Sequence, residues 1–137
     1  MSNASSSSTR PTPRILVVDD DRAINRSLVR KFSRHGCTAI GAYDGHEALE
    51  QLRRERFDGV LLDLLMPVED GFQVLAQRGA TPNAATPVYV LTSLGRDDEI
   101  ALARQFGVQD VFIKNETSPA QVVETVCRAA GVGSEQP

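Results

Sequence analysis

Short apolar, β-branched runs alternate along the chain with longer stretches whose apolar residues recur every three or four positions, the pattern of strands and helices taking turns. ILVVD (15–19), TAIGA (38–42), GVLLD (59–63), VYVLT (88–92) and DVFIK (110–114) read as strands. Their near-continuous apolarity implies burial on both faces, as in a parallel sheet covered by helices. Ile24, Leu28 and Phe32 mark a first helix that stops near His35-Gly36, where glycine supplies a left-handed turn. Ala48, Leu49 and Leu52 mark a second, introduced by the turn pair Asp44-Gly45. A short third helix is predicted near Phe72 to Arg78, and a fourth from Asp97 to Phe106. Ser118 as N-cap, Pro119 at the first helical position and Gln121 completing a capping box open the last, whose apolar face carries Val122, Val126 and Ala129. Five strand–helix rounds without a longer repeat predict an α/β (βα)5 domain built on a doubly wound, open parallel sheet.

The ends carry no such pattern. Residues 1–13 are rich in Ser, Thr and Pro and have nothing to bury, so they read as a flexible tail or the remnant of a tag. Residues 131–137 read as a helix stop followed by a C-terminal tail or linker, which leaves 14–130 as one domain. A chain of 137 residues, 41% hydrophobic and 24% charged, suits a single globular core. No apolar run approaches the roughly 20 residues of a membrane span, and the N-terminus lacks the layout of a secretory signal, so the expected location is cytoplasmic, with no membrane partner. Net charge −3 offers no pull toward nucleic acid. An aromatic content of 5% without Trp argues against a pocket of stacked rings for a flavin or nucleobase. Cys37 and Cys127, in no C-x-x-C arrangement, read as reduced core thiols.

Candidate chemistry sits at the strand ends. Asp19 and Asp20 follow strand one, Asp63 ends strand three, Thr92 strand four and Lys114 strand five. In a parallel sheet these ends share one edge, so the groups should converge on a single cleft. Carboxylates about 4 Å apart repel by about 4 kcal/mol per pair at an effective dielectric near 20, and they persist as anions only around a shared cation. Oxygen ligands with no His or Cys nearby select Mg2+ or Mn2+ over zinc. A hard cation beside an ammonium and a hydroxyl suits a phosphoryl group. The chain has 13 Arg and 2 Lys, so a lysine at this position is a departure from its habit, and a compact ammonium fits a tight phosphoryl cleft better than a guanidinium.

With these residues in view, the sequence resembles the receiver domain of bacterial two-component response regulators, the CheY-like family. The resemblance runs from residue 14 to about 130 and rests on ILVVDDD at 15–21, DGHEAL at 44–49, VLLDLLMPVEDGFQVL at 60–75 and VYVLTS at 88–93. It implies a flavodoxin-like three-layer sandwich with strand order 2-1-3-4-5 and a signalling phosphoacceptor, not a turnover enzyme. By the same resemblance Asp63 accepts the phosphoryl group, while Asp19, Asp20, Asp63 and the Leu65 carbonyl hold the metal. Thr92, Lys114 and the backbone amides of Leu64 and Ser93 contact the phosphoryl oxygens. The implied partners are a sensor histidine kinase or histidine phosphotransfer protein and an output domain or protein. A homodimer through helix four, strand five and helix five is a further option. Asp21 reads as an N-cap.

Two positions depart from the family pattern: Val111 stands where an aromatic switch residue is usual, and Asn115 where proline follows the lysine. A cis bond before a non-proline costs about 2.5–4 kcal/mol, so Lys114-Asn115 is expected to be trans. Phe112 is expected to point to the opposite face from Val111. Leu65 and Leu94 flank the site without polar atoms to orient water, which predicts slow self-dephosphorylation. His35 and His46 read as solvated, Met66 and Pro67 as loop-shaping, and Asp97, Asp98 and Glu99 as an acidic helix start. Arg22, Arg26, Arg30 and Arg34 form either an exposed charged face or a docking stripe for an acidic partner. Two rival readings remain: a phosphorylation-independent interaction module with the same fold, and a haloacid dehalogenase-type phosphatase suggested by Asp19-x-Asp21. The latter family expects Thr or Val where Ala23 stands.

Overall fold

The computed structural model describes residues 12–66, 71–93 and 96–132. Five parallel strands, β1 (Arg14–Val18), β2 (Thr38–Ala42), β3 (Gly59–Leu62), β4 (Val88–Thr92) and β5 (Asp110–Ile113), form one sheet in the order β2-β1-β3-β4-β5. The helices are α1 (Arg22–Arg34), α2 (Gly45–Arg54), α3 (Gly71–Gln77), α4 (Asp97–Gln105) and α5 (Pro119–Ala129). This is the expected doubly wound, flavodoxin-like sandwich.

The two-residue period of the strands sorts their side chains between two cores. Leu16, Val18, Val60, Leu62, Val88 and Val90 pack with Leu49 and Leu52 of α2 and Val74 of α3. Ile15, Val17, Leu61, Tyr89 and Leu91 pack with Leu28 and Phe32 of α1 and with Val122, Val123 and Val126 of α5. Burial on both faces holds for β1, β3 and β4, whereas the edge strands β2 and β5 are mostly half-buried because each has a neighbour on one side only. Val111 packs on the first core and Phe112 on the second, as strand alternation requires.

Local signals set the helix ends. Asp21 caps α1 by accepting from the Ile24 N–H at 3.1 Å, and Ser118 caps α5 by accepting from the Gln121 N–H at 3.1 Å. At α2 a variant of the capping box forms: Asp44 accepts from the Glu47 N–H, and Glu47 reaches back past the cap to accept from the Tyr43 N–H, both at 2.8 Å. Gly36 takes φ +88 after α1, the left-handed turn expected there. The third helix begins one residue earlier than predicted and passes into a 3-10 turn at Arg78–Ala80. One expected core position is corrected. Ala129 is exposed, and Cys127 fills the seam between α5 and the sheet in its place.

Asn83 joins the loop before β4 to the end of α2. Fully buried, it donates to the carbonyls of Leu52 and Glu55 at 2.7 and 2.8 Å, and its oxygen accepts from the Phe57 N–H and the Thr86 hydroxyl at 2.8 and 2.9 Å. Every polar atom of the amide is used, so truncation strands several buried partners at once. Asn83→Ala is expected to cost about 3 kcal/mol in urea unfolding. A loss below about 1 kcal/mol would mean that water replaces those bonds.

Candidate functional site

Asp19, Asp63 and Lys114 lie one residue past their strands, yet their backbones remain in the ladder. The Asp19 N–H donates to Ala42 O at 3.1 Å, the Asp63 N–H to Val18 O at 2.9 Å, and the Lys114 N–H to Thr92 O at 2.8 Å. Each side chain therefore leaves the sheet edge at a position fixed by strand register. Asp19, Asp63 and Thr92 are buried, whereas Asp20 and Ser93 are exposed. One carboxylate oxygen from each of Asp19, Asp20 and Asp63 falls within 4.8 Å of the others. Lys114 Nζ lies 2.8 Å from Asp19 Oδ2 and 3.3 Å from Asp63 Oδ2. The convergence expected from the topology is thus realised for Asp19, Asp20, Asp63 and Lys114.

Burial is the main influence on the Asp63 carboxyl and raises its pKa. The Leu65 N–H, donating to Oδ1 at 3.1 Å, and the Lys114 charge oppose this only in part, and the Asp19 charge adds to it. Burial pulls the Lys114 ammonium down, but its hydrogen bond to Asp19 and the charges of Asp63 and Asp19 outweigh that, and its pKa ends raised. Asp63 is therefore a crowded acid that welcomes positive charge, and Lys114 a firmly protonated cation. The all-oxygen donor set suits a hard divalent ion, with Asp20 on the solvent side.

Two residues that shape the site are absent from the sequence-based set. Asn25, fully buried in α1, directs its amide nitrogen to the carbonyls of Val17, Asp19 and Ala42 at 3.3, 3.0 and 2.9 Å. It ties the helix to the ends of β1 and β2 and fixes the peptide that joins Asp19 to Asp20. A Cβ at Gly41 would collide with the Asn25 side-chain oxygen, so this neighbour must be glycine. The available signal was a lone amide beside Ile24 in an apolar stripe. Gly71 is the second. Its N–H donates to Leu64 O at 2.9 Å, and a Cβ there would lie 2.5 Å from Asp63 O and 2.6 Å from Leu64 Cα. The start of α3 can approach the Asp63 backbone only without a side chain.

Around these, Met66 is buried in the first core and anchors the loop after Asp63. Leu64 is buried and Leu65 is 41% exposed beside the site. Among the described residues no peptide bond is cis, so Lys114-Asn115 is trans as expected. Asp21 is an exposed helix cap, as expected. Asp97 and Asp98 are exposed at the start of α4. His35 and His46 are exposed, and Arg22, Arg26, Arg30 and Arg34 all face solvent, Arg22 stacking 4.1 Å over the Tyr43 ring. Pro67, Asp70 and Leu94 lie outside the described residues, as do residues 1–11 and 133–137 of the proposed tails.

A family model for the response regulator receiver domain matches residues 15–126. The chain belongs to that family. Response regulator MprA of Mycobacterium ulcerans is 42% identical over 101 residues, which cover 74% of this chain and 43% of that protein. The receiver thus spans less than half the length of the curated relatives it matches. The receiver domain of Francisella response regulator 1452 superposes with TM-score 0.77 at 29% identity, covering 86% of this chain and 96% of that one. The chemotaxis protein CheY4 of Vibrio cholerae does so with TM-score 0.79 at 25% identity, covering 87% and 99%. A receiver domain is a signalling module, and its acidic cluster is one that could hold a metal ion. Among the described residues no helix is long and apolar enough to cross a membrane.

The crowding of Asp63 has a measurable consequence. A carboxyl whose folded-state pKa is raised adds stability while protonated and loses it as pH rises through that value. Asp63→Asn in chelator is therefore expected to stabilise the receiver, with a larger gain near roughly pH 7 than near roughly pH 3, below the ordinary carboxylate range. Urea melts at both values check the sign; an equal gain at both, or a loss, contradicts the crowding account.

Proposed function

We propose that residues 14–130 form a cytoplasmic phosphoacceptor receiver in which Asp63 takes a phosphoryl group from a histidine kinase or a histidine phosphotransfer protein. The observation that carries this reading is Lys114 Nζ, 2.8 Å from Asp19 and 3.3 Å from Asp63, beside three converging carboxylates at the strand ends of a receiver fold. In the transfer, an Asp63 oxygen forms a bond to phosphorus as the bond to the donor imidazole nitrogen breaks, and the imidazole leaves with the shared electron pair. The loose transition state needs alignment and charge neutralisation more than covalent assistance. Lys114 supplies fixed positive charge at Asp63 Oδ2. The Leu65 N–H, which now donates to Asp63 Oδ1, holds the carboxylate in one orientation.

Asp19, Asp20, Asp63 and the Leu65 carbonyl would hold Mg2+, or Mn2+ in its stead, which when bound supplies further charge neutralisation for the phosphoryl oxygens. Thr92, buried at the end of β4, and the amides of Leu64 and Ser93 are the expected phosphoryl contacts. A new dianion at Asp63 competes with Asp19 for Lys114 and draws the Thr92 hydroxyl inward, which repacks the face of α4, β5 and α5. That face is the proposed site of the output partner or a homodimer, and α4 carries exposed Leu102. The phosphodonor is expected to dock beside α1. There a cavity of about 300 Å³, lined by Ala23, Ile24, Ser27, Leu28 and Lys114 among others, opens on the helix that also carries the exposed arginines, and its lining does not include the three acids.

A second reading, a phosphorylation-independent interaction module, is favoured by Val111, which leaves that face of β5 without an aromatic ring while Phe112 packs on the opposite core. Intact mass after incubation with acetyl phosphate separates the two. The phosphoacceptor reading expects one phosphoryl adduct that requires both Mg2+ and Asp63 and vanishes in Asp63→Ala. No adduct, with Mg2+ shown separately to bind, selects the second reading.

Leu65 presents an apolar surface where an attacking water would need a hydrogen-bond partner. The wild-type phosphoryl half-life is accordingly expected to exceed that of a Leu65→Asn, Leu94→Ala variant several-fold. Loss of the mass adduct with time measures both, and a shorter wild-type half-life contradicts the shielding role.

A further inference from the structure

Far from the acids, two residues that the phosphoryl chemistry does not use lie in contact. Cys37, between the turn at Gly36 and the first residue of β2, and Cys127, in the last turns of α5, are both 3% exposed. Their sulfurs are 2.9 Å apart, closer than two sulfurs rest in ordinary packing. Both backbones are held: the Cys37 N–H donates to Phe32 O at 3.0 Å, and Cys127 O accepts from the Val132 N–H at 3.0 Å. A cavity of about 250 Å³, lined by His35, Glu124, Cys127, Arg128 and Val132, brings a small solute to Cys127.

We propose that Cys37 and Cys127 form a thiol–disulfide site, closed by a peroxide, that clamps the end of α5 to the turn between α1 and β2. A disulfide bond is about 2.05 Å long, so the sulfurs need to approach by only about 0.9 Å, within reach of small side-chain rotations. The chemistry balances in two steps. Hydrogen peroxide, admitted beside Cys127, transfers one oxygen to the neighbouring Cys37 sulfur, giving a sulfenic acid and water. The Cys127 sulfur then attacks that sulfur, expelling hydroxide, which takes up the Cys127 proton as a second water. Two thiols lose two electrons and the peroxide gains them. The contact between the sulfurs lowers the Cys37 thiol below its ordinary pKa and, with burial, pushes the Cys127 thiol up, which favours Cys37 as the group that meets the peroxide.

The placement makes this site separable from the phosphoacceptor. Cys37 precedes the first residue of β2, whereas the acids follow the last residues of their strands, so the sulfurs and the carboxylates lie at opposite edges of the sheet. Oxidation leaves Asp19, Asp20, Asp63 and Lys114 in place. What it changes is α5, whose hold on the sheet through Val122, Val123 and Val126 gains a covalent link. In the unfolded chain the same link closes a loop across a sequence separation of 90 residues, which restricts that ensemble strongly.

The test uses the full chain, first reduced, then treated with hydrogen peroxide, unfolded in denaturant and alkylated with N-ethylmaleimide. Intact mass is expected to show a monomer lighter by two hydrogens that takes no label, where the reduced control takes two. Cys37→Ala and Cys127→Ala are each expected to lose this mass change. The oxidised wild type is expected to melt several degrees above its reduced form, and neither variant to show that rise. Two labels retained after peroxide would overturn the proposal, as would a disulfide found only between chains on a non-reducing gel. An oxidised monomer that melts below the reduced one would overturn the clamp.

Discussion

The receiver is organised around a charge conflict that its own sheet creates. Parallel strands deliver their C-terminal ends to one edge, and this chain ends β1 and β3 with acids, so Asp19 and Asp63 are buried together where water cannot screen them. Among the described residues Lys114 is the cation that pairs with them, from a strand that is separated from β1 by β3 and β4. The ion pairs therefore reach across the sheet. Their value lies less in net stability, since buried pairs spend most of their attraction on desolvation, than in leaving a site short of positive charge. A metal ion or a ligand that brings positive charge is favoured before any chemistry begins.

Supporting residues keep that conflict from relaxing. Asn25 holds the carbonyls at the ends of β1 and β2, and Gly71 lets α3 lie against the backbone of Asp63 and Leu64. Neither side chain touches a carboxylate oxygen. Both restrict the peptide frame from which the carboxylates project, and close packing leaves that frame no alternative position. Gly71, inside the stretch at 60–75 that carries the resemblance, thus has a steric reason to be glycine.

Most of the fold was legible because its determinants are local. Apolar runs gave all five strands to within a residue at either end, and Ser118-Pro119 and Asp21 marked helix starts that the hydrogen bonds bear out. The candidate site was legible because topology alone carries Asp19, Asp63 and Lys114 to one edge. What escaped depends on contacts between distant segments. Asn83 and Asn25 carry no signal in the pattern of apolar positions, and Ala129 reads as core by its spacing, whereas Cys127 holds that place against Cys37. Spacing along a helix cannot say which residue of a face meets a neighbour that arrives ninety positions away.

The strand order also bears on how the molecule comes together. β5 pairs with β4 and lies at the sheet edge, so the segment bearing Lys114 can dock last, after β1, β3 and β4 have already aligned. Until β5 is in place, Asp19 and Asp63 face one another without an ammonium, and keeping both charged there is costly. Docking of the edge strand relieves that repulsion. An edge strand thus carries the charge on which the centre of the sheet depends.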